Sequence, residues 1–93
     1  MNNETKTKVS NLEGRNGAVK NQFEVITDKG RFFQSYDSII AFIPNNGSPI
    51  QIDERYWDYS KTTGKYRNIF LCEDKKATEK KLKDGRYQFA NLN

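Results

Sequence analysis

Histidine is absent from this 93-residue chain, and cysteine occurs once, as Cys72. Without histidine there is no His-based acid–base catalyst and no Cys/His zinc site, and one cysteine cannot form an internal disulfide. Long apolar runs are missing too, since no stretch approaches the roughly 18 consecutive apolar residues of a membrane span. The opening residues Met1-Asn2-Asn3-Glu4-Thr5-Lys6 lack the apolar core of a signal peptide. These absences predict a soluble, cytoplasmic protein with no membrane partner and no cofactor. Its chemistry must be binding, or must rest on carboxylates, hydroxyls and lysines.

What is present fits one small domain: 34% hydrophobic, 30% charged and 13% aromatic residues. Six Phe, five Tyr and one Trp supply the large side chains. Each buries about 150–250 Å² when packed, which offsets the small size of the domain. With neither disulfide nor metal, the expected stability is a few kcal/mol.

Residues 1–17 contain only Val9 and Leu12 as sizeable aliphatic residues beyond Met1. Such a segment cannot bury enough surface to offset its ordering, so it reads as a flexible polar arm ahead of a single α+β domain over residues 18–93. Val19, Phe23, Val25 and Ile26 form a β-rich run that stops at Asp28-Lys29-Gly30, a hairpin signal in which Gly30 takes positive φ. Residues 31–34 pair back on it, and Ser35-Tyr36-Asp37-Ser38 reads as a bulge or bend. The continuous apolar stretch of residues 39–43 suggests burial on both faces. Pro44-Asn45-Asn46-Gly47 is a turn, and residues 49–53 alternate like a half-exposed strand. Three antiparallel strands result, with a fourth at Tyr87-Gln88-Phe89.

After Asp53 the period changes. Ser60 and the threonines after it offer hydroxyl N-caps, and Tyr66, Ile69 and Phe70 recur at helical spacing, which predicts a helix over 61–72. Gly64 in its first turn costs up to about 1 kcal/mol relative to Ala. A second helix over 75–84 is capped by Asp74, has Lys80, Lys81 and Lys83 at its negative end, and closes at Gly85. Its apolar face is thin, with only Ala77, Leu82 and the methyl of Thr78.

Between Lys61 and Arg86 there are nine basic residues against four acidic ones, an excess larger than the net charge of +4 of the whole chain. A basic helical face holds phosphate backbones or an acidic protein surface. The plainer alternative is a solubilising helix, because Lys75–Glu79, Glu79–Lys83 and Lys80–Asp84 are spaced for stabilising pairs. A second constellation is Tyr56-Trp57-Asp58-Tyr59-Ser60 followed by Lys61, Lys65, Tyr66 and Arg67. Aromatics interleaved with cations suit stacked bases, and equally protein hot spots, where Tyr, Trp and Arg dominate. Alternatively, Trp57 and Tyr66 plug the space between sheet and helix.

Carboxylates are available at Asp53-Glu54, Asp58 and Glu73-Asp74, but a catalytic or metal site needs acids converging on a cleft, which so short a chain has little room to enclose. Cys72 lacks a histidine partner and reads as a buried small hydrophobe at a helix end.

Over Phe33-Gln34-Ser35-Tyr36-Asp37-Ser38-Ile39-Ile40-Ala41 and Trp57-Asp58-Tyr59-Ser60-Lys61-Thr62-Thr63-Gly64-Lys65-Tyr66-Arg67-Asn68-Ile69-Phe70-Leu71, the sequence resembles a family of small, mostly uncharacterised proteins carried by phages and plasmids of Gram-positive bacteria. The resemblance spans about residues 20–92, including Gly85-Arg86-Tyr87. It implies a mobile-element origin and carries over no catalytic residue. By analogy with small phage proteins, the expectation is a non-enzymatic binder that inhibits or redirects host machinery in the manner of an anti-CRISPR. It grips a host protein or protein–nucleic-acid complex through Tyr56, Tyr59, Lys61, Lys65, Arg67, Lys75, Lys76, Lys80, Lys83 and Arg86. The alternative is an accessory protein that binds DNA or RNA directly with the same face. An exposed sheet edge and the aromatic content also allow a homodimer.

Overall fold

The computed structural model describes residues 7–14 and 17–93. Strands β1 (Lys8–Gly14), β2 (Gly17–Thr27), β3 (Gly30–Ser35), β4 (Ser38–Pro44) and β5 (Ile50–Asp53) come first, then helices α1 (Lys61–Leu71) and α2 (Lys75–Lys83), then β6 (Tyr87–Ala90). The strands form one sheet in chain order, antiparallel from β1 to β5, with β6 parallel to β5. The fold is α+β with two helices, and its sheet is mixed and six-stranded where three or four antiparallel strands were expected.

Three features account for the difference. First, Lys8–Gly14, expected in a flexible arm, form β1 and pair with β2. The strand is held by backbone pairing, since Leu12 alone is buried and Val9 is 62% exposed, so a criterion based on apolar burial does not find it. Of the rest of that expected arm, residues 1–6 and 15–16 lie outside the described residues, and Gly17 opens β2. Second, Tyr36 and Asp37 are not a bulge within one strand but a reversal, because Ser35 pairs with Ser38. Tyr36 adopts φ 54°, and its N–H donates to the Asn21 carbonyl at 2.8 Å. Third, the two helices between β5 and β6 act as a crossover, which returns the chain parallel to β5.

The predicted turn at Asp28-Lys29 is present, and Gly30 there has φ 151°. Hydroxyl and carboxylate caps fall where the sequence places them: Ser60 accepts from the Thr63 N–H at 3.1 Å and Asp74 from the Ala77 N–H at 2.9 Å. Cys72 is exposed rather than buried, because it closes α1 in the left-handed conformation with φ 58° and its side chain turned out.

Alternation along the strands sends Phe33, Ala41 and Ile52 to the helical side, where Tyr66 and Phe70 of α1 and Tyr87 of β6 complete the core with Leu12 and Ile40. Phe33 and Phe70 stack with centroids 5.7 Å apart. A second tie is polar, the Ser35 and Thr63 hydroxyls meeting at 2.9 Å between β3 and α1. Residues 39–43 are therefore not covered on both faces. Ile40 and Ala41 are fully buried, whereas Phe42 lies opposite Phe32 on the other face, their rings stacked at 4.2 Å. No helix among the described residues is long and apolar enough to cross a membrane.

Two glycines respond oppositely to a methyl group. A Cβ on Gly30 would lie 2.2 Å from the Ile43 carbonyl oxygen, so Gly30→Ala lowers stability by about 2 kcal/mol or more. On Gly64 it would meet only ordinary contacts of 3.5–3.8 Å with Asp58 and Arg67. There the helical preference of alanine wins, and Gly64→Ala raises stability by about 0.5–1 kcal/mol. Urea unfolding of both variants measures the two signs.

Candidate functional site

After β5 the chain turns on Asp53, whose residue is only 1% exposed. One carboxylate oxygen accepts from the Arg55 and Tyr56 N–H groups at 3.0 and 2.8 Å, the other from the Leu92 N–H and the Asn93 amide at 2.9 and 3.0 Å. The end of β5 and the last residues of the chain are thereby fixed together. Burial alone would raise the Asp53 pKa, but these four donors overcome it and hold it below the usual carboxylate value.

The segment that follows is clasped by Arg67 of α1. This residue, expected to touch a partner, is 1% exposed. One guanidinium nitrogen donates to the Trp57 carbonyl at 2.6 Å and to Asp58 at 3.1 Å, and another donates to Asn68 at 3.1 Å. The group also lies 5.0 Å from the Trp57 ring centroid. Asp58 takes a second cation, Lys75 of α2, at 2.6 Å, and so bridges both helices. Its burial is outweighed by Lys75 and Arg67, and its pKa falls below the ordinary value. Lys75 is raised, chiefly by the Asp58 hydrogen bond. Glu73, on the turn between the helices, ties α2 to β6, accepting from Lys81, from Thr78 at 2.6 Å and from the Tyr87 hydroxyl at 2.9 Å. It too lies below its usual range, since these donors override the effect of burial.

Held by these anchors, Trp57 meets Phe89 of β6 edge to face at 6.0 Å. Together with Leu82 they floor a groove of about 560 Å³, which Lys76, Lys80, Lys83 and Glu79 border. Phe89 is 52% exposed, so the floor is accessible. The dimensions fall in the range of sites that take a large side chain or a small ligand. The groove gathers three of the expected contact residues.

The other expected contacts divide. Lys61, Lys65 and Lys75 border a shallow depression at the start of α1, where Lys65 also lies 5.3 Å from the Tyr66 ring centroid. Tyr56 packs on the core, with Tyr59 against it edge to face at 5.8 Å. Arg86 pairs with Asp84 at 2.8 Å. The helix-spaced pairs expected within α2 are not among the ion pairs of the described residues. Lys75 turns instead to Asp58, and Lys81 to Glu73.

Leu82 and Phe89 are the site residues that sequence reasoning missed, and Trp57, though part of the aromatic–cation constellation, is not among the expected contacts. Trp57 reads as filler between sheet and helix, and Phe89 as an alternating strand residue. For Leu82 the available signal is the thin apolar face of α2, which leaves it insufficient cover. Asp53, Asp58 and Glu73 are all engaged within the chain, and among the described residues no group of three Cys, Asp or Glu side chains is placed to hold a metal ion.

The chain belongs to DUF8033, a family of unknown function, which it matches over residues 5–86. No curated protein and no solved structure matches it.

Removing the Arg67 clasp frees the Trp57 carbonyl and leaves space beneath the ring. Arg67→Met lowers stability by about 3 kcal/mol. Arg67→Lys does not restore it, because one ammonium cannot span the carbonyl, Asp58 and Asn68. Urea unfolding measures the loss, and the fluorescence of Trp57, the sole tryptophan, reports its released ring.

Acid weakens the fold through Asp53, Asp58 and Glu73. Their native pKa values lie below the ordinary 3.8 and 4.5, so their contribution is complete above those values and is lost as pH falls through the native ones. The urea midpoint should stay level from neutral pH to about 5 and drop below about 4. Asp53→Asn lowers the neutral plateau and reduces the acid slope.

Proposed function

We propose that this member of DUF8033 is a non-catalytic binding protein that grips a host protein, alone or in a protein–nucleic-acid complex, through the groove between α2 and β6. The observation that carries this reading is the convergence of Lys76, Lys80 and Lys83 around the Trp57–Leu82–Phe89 floor. An exposed aromatic anchor ringed by cations suits an acidic protein segment with a large apolar side chain. The resemblance to phage and plasmid proteins supports a host-directed role, namely inhibition or redirection of defence machinery of the anti-CRISPR type inside the bacterial cytoplasm.

Charge accounting favours a protein over a bare phosphate backbone. Of the nine basic residues between Lys61 and Arg86, Arg67, Lys75, Lys81 and Arg86 are engaged in intrachain ion pairs. Glu79 on the groove rim further opposes a polyanion. The remaining lysines make a modest field, suited to a mixed-charge protein surface more than to continuous phosphate contact.

Tagged protein incubated with a Gram-positive lysate, with and without nuclease, tests the reading. The expected capture survives nuclease, is lost in the Lys76→Glu, Lys80→Glu, Lys83→Glu triple variant, and weakens about 30-fold in Phe89→Ala, with circular dichroism unchanged in both. Capture retained by the triple variant would sink the assignment. Nucleic acid captured alone, with affinity falling steeply between about 50 and 200 mM salt, would favour direct nucleic-acid binding.

A further inference from the structure

The sheet has a second surface, opposite the helices. Successive pairings place Val9, Val25, Phe32, Phe42, Gln51 and Gln88 in one row across all six strands. A second row beside it runs through Asn11, Phe23, Gln34 and Ile39. Neither row contains a charged residue, in a chain that is 30% charged. Their apolar members do not pack against the core cluster, and Val9 is 62% exposed. The shortest dimension of the molecule is 21 Å, which accommodates the sheet and a single layer of helices.

We infer that this face docks a second copy of the chain, two sheets stacking into a sandwich about 10 Å apart. Charge selects the occupant. The two rows offer no charge to a phosphate backbone or an acidic segment, Asp28 and Lys29 standing at the edge of the face beside Phe42 and Gln51, whereas a second copy presents the same uncharged rows over the same extent, as an isologous contact requires. The net positive charge comes from residues 61–86, on the helical side, so stacking leaves the two basic surfaces outermost and apart. Strands β1 to β4 pair over six residues and the four-residue β5 and β6 over fewer, so at about 4.8 Å between strands the face covers roughly 400 Å² per copy, about 800 Å² in all. That is the size of weak, reversible contacts, so the dimer forms at high concentration and dissociates on dilution.

Sedimentation velocity on the full chain, from about 1 to 200 µM, tests the inference. The expected result is a concentration-dependent shift from 10.9 kDa to twice that mass. Val9→Lys with Gln51→Lys places charge in the row at positions outside the core, and should weaken association at least about tenfold with unchanged circular dichroism. Lys80→Glu, on the other side of the sheet, should leave association unaltered. A wild-type chain that stays monomeric throughout, a double variant that associates as well as wild type, or a dimer abolished by Lys80→Glu would each overturn it.

Discussion

A guanidinium group withdrawn from water is costly unless its donors are used, and around Arg67 the two terminal nitrogens answer that demand, largely with the loop that carries Trp57, while Nε is left without a partner. The side chain is 1% exposed and reaches the Trp57 carbonyl, Asp58 and Asn68 while lying under the indole ring. Only arginine offers several rigidly arranged donors with a flat, weakly hydrated surface that suits an aromatic face. Through Asp58 the same cluster reaches Lys75, so the orientation of α2 relative to α1 depends on it as well. Groove, loop and helix pair are consequences of one buried cation.

The local features of this fold were legible in the sequence, and the non-local ones were not. Ser60 and Asp74 cap their helices because capping needs only a hydroxyl or carboxylate three residues from an N–H. The Asp28-Lys29-Gly30 turn follows from the same local chemistry. By contrast, β1 is secured by hydrogen bonds to β2, and its sequence of Lys, Ser, Asn and Glu gives little sign of them. Tyr36 and Cys72 both take positive φ, which side chains other than glycine rarely adopt. Composition cannot announce that. Basic charge was legible as a total but not as a distribution, since Asp58, Glu73 and Asp84 pair with four of the cations at close range, Asp58 with two of them.

The two sides of the sheet are chemically unlike. One holds the core, the helices and the lysine-rimmed groove. The other is crossed by uncharged rows that include the stacked Phe32 and Phe42 rings. Alternation along each strand produces this division, and the antiparallel register from β1 to β5 carries it from strand to strand. Phe32 and Phe33 therefore serve opposite faces despite being adjacent in the chain.

The parallel pairing of β5 with β6 also sets an order of events. Strands β1 to β5 close on neighbours joined by short turns, which costs little loop entropy. Before β6 can dock, both helices must form and the intervening chain must fold back to the sheet edge. Phe89 and Trp57 meet only once β6 has docked, so the groove depends on the least local pairing of the sheet. The same four-residue edge strand is held through Tyr87–Glu73 and the Asn93–Asp53 clip, and a chain whose β6 is undocked carries its lysines without the floor that gives them a shared target.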